Sequence, residues 1–253
     1  MEYVLITGGT SGIGYELARC FAQHDKNLII VSSNSERLAQ TKIALEKEYN
    51  ISVKIYEQDL AKAGSASDLY NKIKAEKLAV SILVNNAGFG LVGGTENIDF
   101  NLDEKLLTLN IISLVELSKH FITDMYQKGH GKNLNVASTG AFQPGPYTST
   151  YFASKAFVLN YSQAIRYEAR HKNVQVCTVC PGSTRTEFFA KEGVATPKHA
   201  MTAEAVAMYT YKKFMRNKAI IIPGLINKIL RILPQGFKMK MVAGMKNPER
   251  KNH

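Results

Sequence analysis

The chain has 253 residues, 45% of them hydrophobic and 21% charged, with a formal net charge of +11. That balance excludes intrinsic disorder, a collagen-like fibre and a small disulfide scaffold, each of which needs a different composition, and the length suits a domain with a sizeable core. The charge is uneven: residues 212–253 hold eleven Lys and Arg against the single acid Glu249, a net of +10, while residues 1–211 are nearly neutral, so tail and body need separate explanations.

Three cysteines, Cys20, Cys177 and Cys180, are too few for a disulfide framework and point to a reducing compartment. No run reaches the roughly 18 uninterrupted apolar residues of a membrane span. Residues 1–6 read directly into a strand, without the basic region and cleavage site of a signal peptide. A cytoplasmic protein is expected.

In chain order, a strand over 3–7 runs into Thr7-Gly8-Gly9-Thr10-Ser11-Gly12-Ile13-Gly14, which opens a helix over 14–23. Backbone N–H groups at a helix N-terminus hold a pyrophosphate when no Cβ intervenes. Gly8 permits the tight turn, Gly12 the approach of phosphate and Gly14 the packing of helix on strand. Gly8, Thr10, Ser11, Gly12, Ile13 and Gly14 are therefore candidate cofactor-binding residues. The second strand, 28–32, ends in Ser32-Ser33-Asn34-Ser35, with no acid before Glu36. An acid here would accept from both ribose hydroxyls of NAD. Its absence, with the donors Ser11, Ser33 and Asn34, favours the 2′-phosphate of NADP(H), NAD(H) being the alternative. Arg37 lies further along the next helix, 35–48.

Strand 52–56, helix 66–76, strand 81–85 and a long helix 102–127 carrying Asn110 follow. Strand 133–137 precedes Ser138. Helix 149–171, strand 175–180, helix 203–215 and strand 219–222 complete the alternation. Several strands are continuous in Val, Ile and Leu, as strands covered on both faces are. The pattern predicts an α/β fold, a doubly wound parallel sheet of about seven strands in three α/β/α layers. One domain is expected over 1–222, with a basic amphipathic appendage over 223–253.

Tyr151 and Lys155 stand four apart in helix 149–171 and share a face. A free tyrosine titrates near about 10. An adjacent ammonium stabilises the phenolate and lowers that value, so the pair can move a proton to or from an alcohol oxygen near neutrality. Ser138 is a candidate donor to that oxygen. Cys177-x-x-Cys180 lies in a strand, where residues three apart face opposite ways, and the six histidines show no ligand spacing. No metal is expected.

The spacing Thr7-Gly8-x-x-x-Gly12-x-Gly14 is followed in order by Asn85-Asn86-Ala87-Gly88, Ser138, Tyr151-x-x-x-Lys155 and Pro181-Gly182. This series resembles the short-chain dehydrogenase/reductase family over roughly residues 3–190. The resemblance implies a reversible carbonyl reductase/alcohol dehydrogenase with Tyr151, Lys155, Ser138 and Asn110 as catalytic residues. Lys155 would also hydrogen-bond the nicotinamide ribose, and Asn110 would hold a water near the lysine. Further cofactor contacts implied are Asp59 and Leu60 at the adenine, Asn86, Ala87 and Gly88 after the fourth strand, and Pro181, Gly182, Thr184 and Thr186 near the carboxamide and pyrophosphate. A homodimer or homotetramer is implied as well.

Residues 187–202 stand where the family has a variable lid. Phe188, Phe189, Val194 and Ala195 suggest an apolar pocket wall, and hence a lipid-like, steroid-like or acyl carbonyl. In the tail, apolar residues recur at helical spacing over 225–234 with bases between, and 237–242 repeats the mixture. Such a segment packs on its own domain, covers a partner copy, or lies on an anionic membrane. A non-catalytic, nicotinamide-nucleotide-responsive binding protein is the alternative function, though it would have no need of Ser138, Tyr151 and Lys155 together. No motif supports nucleic-acid binding by the tail.

Overall fold

The computed structural model describes residues 1–192, 196–197 and 199–247, with the backbone alone for Phe189 and Lys191. Strands and helices alternate through β1 (Glu2–Thr7), α1 (Gly12–Ala22), β2 (Asn27–Ser32), α2 (Ser35–Glu48), β3 (Val53–Glu57), α3 (Ser65–Ala75) and β4 (Ala79–Asn85). The chain continues through α4 (Phe100–Leu107), α5 (Ser113–Lys128), β5 (Gly131–Val136), α6 (Ser149–Ala169) and β6 (Val174–Val179). Then come β7 (Thr184–Arg185), α7 (Glu187–Lys191), β8 (Met201–Thr202), α8 (Ala203–Met215), β9 (Ile220–Ile221), α9 (Leu225–Ile232) and α10 (Gln235–Lys246).

Seven strands form the parallel sheet expected, in the order β3-β2-β1-β4-β5-β6-β9. The continuous apolar strands are explained by the two cores. Val4 and Ile6 of β1 point to one face, with Phe21, Leu38 and Phe214, while Tyr3 and Leu5 point to the other, with Leu69, Phe121 and Met125. Each fully buried Leu or Phe side chain contributes about 1.5–3 kcal/mol by leaving water. Cys177 and Cys180 fall into different cores, and all three cysteines are free and buried.

The order reverses between β1 and β4, and the crevice at their carboxyl ends is where ligands sit in such sheets. A buried polar network supports that end. Asn85 donates to Asn135 Oδ1 (2.9 Å) and Ser118 Oγ (3.0 Å), and Asn135 donates to Ser162 Oγ (2.9 Å). It ties β4 and β5 to α5 and α6.

The single long helix expected over 102–127 is α4 and α5 joined by a π-helical turn, Thr108–Ile112. Such turns mark functional positions in helices, and Asn110 is in it. The stretch Phe100–Lys128 is long and apolar enough to cross a membrane, yet Leu106, Leu114, Leu117, Phe121 and Met125 are buried within the fold.

Candidate active site

The glycine turn adopts the backbone its sequence requires, with φ of 64° at Gly8 and 54° at Gly12, where a side chain would be strained. A Cβ on Gly14 would stand 2.3 Å from both Asn86 Nδ2 and Gly8 O. Asn86 is held there because its Nδ2 donates to Thr7 O and Gly8 O, each at 3.0 Å. Thr7 Oγ1 accepts in return from the backbone N–H groups of Asn86 and Ala87. The ends of β1 and β4 are thus stitched together at the crevice. Ser11 precedes α1 without a capping side-chain bond, and no acid stands in the first turn, so the positive end of the helix dipole favours an anion.

Beside it, Thr10 donates to Ser32 Oγ (3.2 Å), and Asn34 caps α2 by accepting from Arg37 N (2.8 Å). The Arg37 guanidinium meets Glu187 of α7 at 2.7 Å. Asp59 accepts from Ala61 N at 3.1 Å and shapes the turn after β3.

Ser138 follows β5. Its Oγ accepts from Gly140 N at 3.0 Å, which leaves the hydroxyl proton for another acceptor. Tyr151 and Lys155 share one face of α6, with the ammonium 5.8 Å from the phenol ring centroid. Lys155 is 4% exposed and donates to Val136 O at 3.0 Å. Burial lowers its titration to about 8.

The expected lowering of the Tyr151 pKa is overturned. Burial pushes the phenol above its ordinary value, and the Glu192 charge adds to that, while a hydrogen bond with Ser138 opposes them. Desolvation of the phenolate is the largest influence and outweighs the Ser138 hydrogen bond. The phenol therefore keeps its proton at neutral pH.

Asn110 is 1% exposed. It exchanges hydrogen bonds with the backbone of Phe89 and donates to Ser154 Oγ (3.1 Å). Its Oδ1 and the Lys155 ammonium both approach Gly88 from beneath.

The short chain dehydrogenase family model matches residues 2–196. The chain belongs to the short-chain dehydrogenase family. Membership makes it a nicotinamide-dependent oxidoreductase acting on CH–OH or C=O groups. The very-long-chain 3-oxoacyl-CoA reductase of Homo sapiens is 26% identical over 260 residues, covering 100% of this chain and 82% of that one. A short-chain dehydrogenase from Sphingobium yanoikuyae, solved in complex with NADPH, superposes with a TM-score of 0.85 at 28% identity, over 100% of this chain and 96% of that one. The bulky-bulky ketone specific alcohol dehydrogenase from Comamonas testosteroni gives a TM-score of 0.81 at 25% identity, over 100% and 96%.

In this short-chain dehydrogenase a cleft of about 1120 Å³ runs across the crevice. It is lined by Gly8, Thr10, Ser11, Gly12, Ile13, Ser33, Asn34, Asp59, Leu60, Asn86, Ala87 and Gly88 on one side, and by Ser138, Tyr151, Lys155, Pro181, Gly182, Thr184 and Thr186 on the other. The positive-φ glycine turn, the acid-free helix end and this volume fit a nicotinamide dinucleotide. Of the residues singled out in the sequence, Gly14 and Asn110 do not line the cleft. Gly14 packs α1 on the turn, and Asn110 sits behind Gly88. Thr186 caps α7 through Phe188 N and lies against Gly12.

Phe188 reaches the cleft, its ring 5.5 Å from that of Tyr151. The Phe189 side chain, Val194 and Ala195 lie outside the described residues. Sequence reasoning missed the far wall, which the tail supplies: Leu230, Met241, Val242 and Lys246 line the cleft. Lys246 holds Glu192 at 2.6 Å, with the carboxylate 1% exposed and its Oε1 without a partner among the described residues. Burial raises the Glu192 pKa. The two residues stand 54 apart in the chain, and no local pattern announces such a pair.

Proposed function

We propose that the chain is an NADP(H)-preferring carbonyl reductase and alcohol dehydrogenase for apolar ketones or acyl carbonyls, with Tyr151 as general acid/base. The observation that carries the reading is the convergence of Tyr151, Ser138 and Lys155 on the cleft into which the glycine turn opens. A binding protein would have no use for a buried phenol, a buried ammonium and an oriented hydroxyl at one point.

The α1 end would hold the pyrophosphate, Ser11, Ser33 and Asn34 the 2′-phosphate, Asp59 and Leu60 the adenine, Lys155 the ribose, and Thr184 and Thr186 the nicotinamide end. When bound, the nicotinamide supplies the hydride in reduction and takes it in oxidation. Ser138 donates to the substrate oxygen and steadies the charge that develops there. Tyr151, kept protonated by burial, gives its proton to that oxygen. Lys155, titrating at about 8, is poised to restore the proton. Asn110 fixes Phe89 and, through Ser154, the first turn of α6, and so positions both.

The preference for NADP(H) rests on the missing acid after β2 and on Arg37, which lines the cleft beside Ser33 and Asn34 and would exchange its ion pair with Glu187 for the 2′-phosphate. Phe142, Phe188, Leu230, Met241 and Val242 support an apolar substrate, as does the likeness to reductases of very-long-chain 3-oxoacyl-CoA and of bulky ketones. The exposed Phe100, Leu102, Leu107, Ile112 and Phe157 on α4, the π turn and α6 form the surface through which a homodimer or homotetramer would assemble.

Titration with NADPH and NADH, followed by a carbonyl screen with the tighter one, tests the reading. NADPH should bind at least about tenfold tighter, and Arg37→Ala should erase the difference, since a charge-assisted contact is worth about that much. Equal or tighter NADH binding would overturn the preference, and cofactor binding with no turnover of any carbonyl or alcohol would favour the binding protein.

A further inference from the structure

We infer that α9, with the start of α10, docks this chain on an anionic membrane surface at the mouth of its cleft. The helix exposes most of its apolar residues. Leu225, Ile229 and Ile232 recur at spacings of four and three and are 72%, 51% and 81% exposed, and Ile226 beside them is 62% exposed. None of the eight residues of α9 is buried. Asn227 and Leu230 are the half-buried residues that face the protein, while Lys228 and Arg231 flank the patch with their side chains exposed. Asn227 donates to Pro223 O (2.7 Å) and packs on Gly182, the Arg231 guanidinium lies 5.1 Å from the Phe142 ring centroid, and Lys228 Nζ lies 5.5 Å from that of Tyr209. Surface helices of soluble domains bury their apolar stripe, whereas here most of it is exposed beside two cations, and an exposed apolar patch marks a binding face.

Phe237, 58% exposed, extends the patch onto α10. Lys238 anchors that helix, donating to Phe142 O at 3.0 Å. The patch is thus fixed to the body of the protein, not carried on a loose end.

Charge selects the occupant. Residues 212–247 carry nine Lys and Arg and no acid. Lys238 is buried and Lys246 is paired with Glu192, but Lys228, Arg231 and Lys240 are exposed beside the patch; a second copy across a two-fold axis would set these cations against themselves, whereas an anionic lipid surface attracts them. Apolar residues that enter the interface beside basic ones are the signature of a helix lying on a membrane. Leu225 and Ile226 belong both to the patch and to the lining of the cleft, so docking sets the cleft mouth against the bilayer, the source of an apolar carbonyl. The docking itself does not depend on turnover.

The test is co-sedimentation of the full chain with vesicles of phosphatidylcholine alone and of phosphatidylcholine with phosphatidylserine, alongside NADPH titration and light scattering. Phosphatidylserine should raise binding by about tenfold, and added salt should reduce it, as screening requires. Ile229→Glu with Ile232→Glu should abolish it, leaving the melting temperature and NADPH affinity unchanged. Ile229→Gln with Ile232→Gln should weaken it in the same direction without adding charge. No preference for phosphatidylserine, or undiminished binding by the double variants, would overturn the inference. So would an assembly in solution that those variants dissolve without any vesicle binding by the parent. Loss of turnover with vesicle binding intact would tell against the proposed enzyme and leave the docking standing.

Discussion

Replacing Gly14 by alanine separates the packing at the cofactor turn from ordinary helix energetics. In a helix interior the change alone should stabilise by about 1 kcal/mol. Here the new Cβ would meet Asn86 Nδ2 and the backbone oxygen of Gly8, both at 2.3 Å, and neither is the loose end of a flexible side chain. Relief requires moving α1 off the turn and giving up the two Asn86 bonds to Thr7 O and Gly8 O. Two buried hydrogen bonds at about 1 kcal/mol each, with about 1–3 kcal/mol for overpacking, outweigh the propensity gain and leave a net loss of about 2–4 kcal/mol. In a chain of this size that lowers the melting temperature by about 5–15 °C. Differential scanning fluorimetry reads it, and NADPH titration should show weakened binding in the same variant. Gly236→Ala is the control: that position is in α10 and a Cβ there would meet nothing within 4 Å, so stability should hold or rise slightly. A Gly14→Ala protein melting within 2 °C of the parent would refute the close-packing argument, because propensity cannot hide a clash of that size.

Tyr151→Phe removes the proton donor and should cut carbonyl reduction by about 10²–10⁴-fold while NADPH affinity stays within about threefold; near-native turnover would withdraw the role. Carbonyl reduction should fall as pH rises through about 8, where buried Lys155 loses its proton. Burial disfavours its charged form and moves that loss down from the usual lysine range. A flat rate from pH 7 to 9.5 would count against the proton-resupply step. Asn135→Leu removes one of the two acceptors of the Asn85 amide and the donor to the Ser162 hydroxyl, which keep their bonds to Ser118 and Val158 O, and should cost about 1–3 kcal/mol in urea unfolding; an unchanged midpoint would mean the network is dispensable.

The sheet was legible because its strands are covered on both faces and so are written as unbroken apolar runs. The glycine turn was legible because phosphate binding and close packing leave only one residue type able to stand at Gly8, Gly12 and Gly14. Tyr151 and Lys155 were legible as a pair because helical spacing alone sets them on one face. Their titration was not. It depends on how deeply the fold buries the pair and on the charge of Glu192, which stands 41 residues beyond Tyr151. The π turn escaped notice because Thr108–Ile112 reads as continuous helix, and its geometry follows from holding Asn110 against Phe89 and Ser154. The tail showed an amphipathic pattern, but periodicity gives the stripe and not the direction it faces.

The three thiols sit at well-separated depths of the sandwich, Cys20 and Cys177 under one helical layer and Cys180 within a separate cluster beside β9. Burial raises their pKa to about 11, 11 and 12 respectively, so in the folded chain they react slowly with alkylating reagents. Cys20 and Cys177 become clocks for the opening of one layer at two places, α1 and β6, and Cys180 for that of the cluster beside β9. The order in which they are modified under mild denaturant reports, without any engineered label, whether the nucleotide half or the opposite edge lets go first.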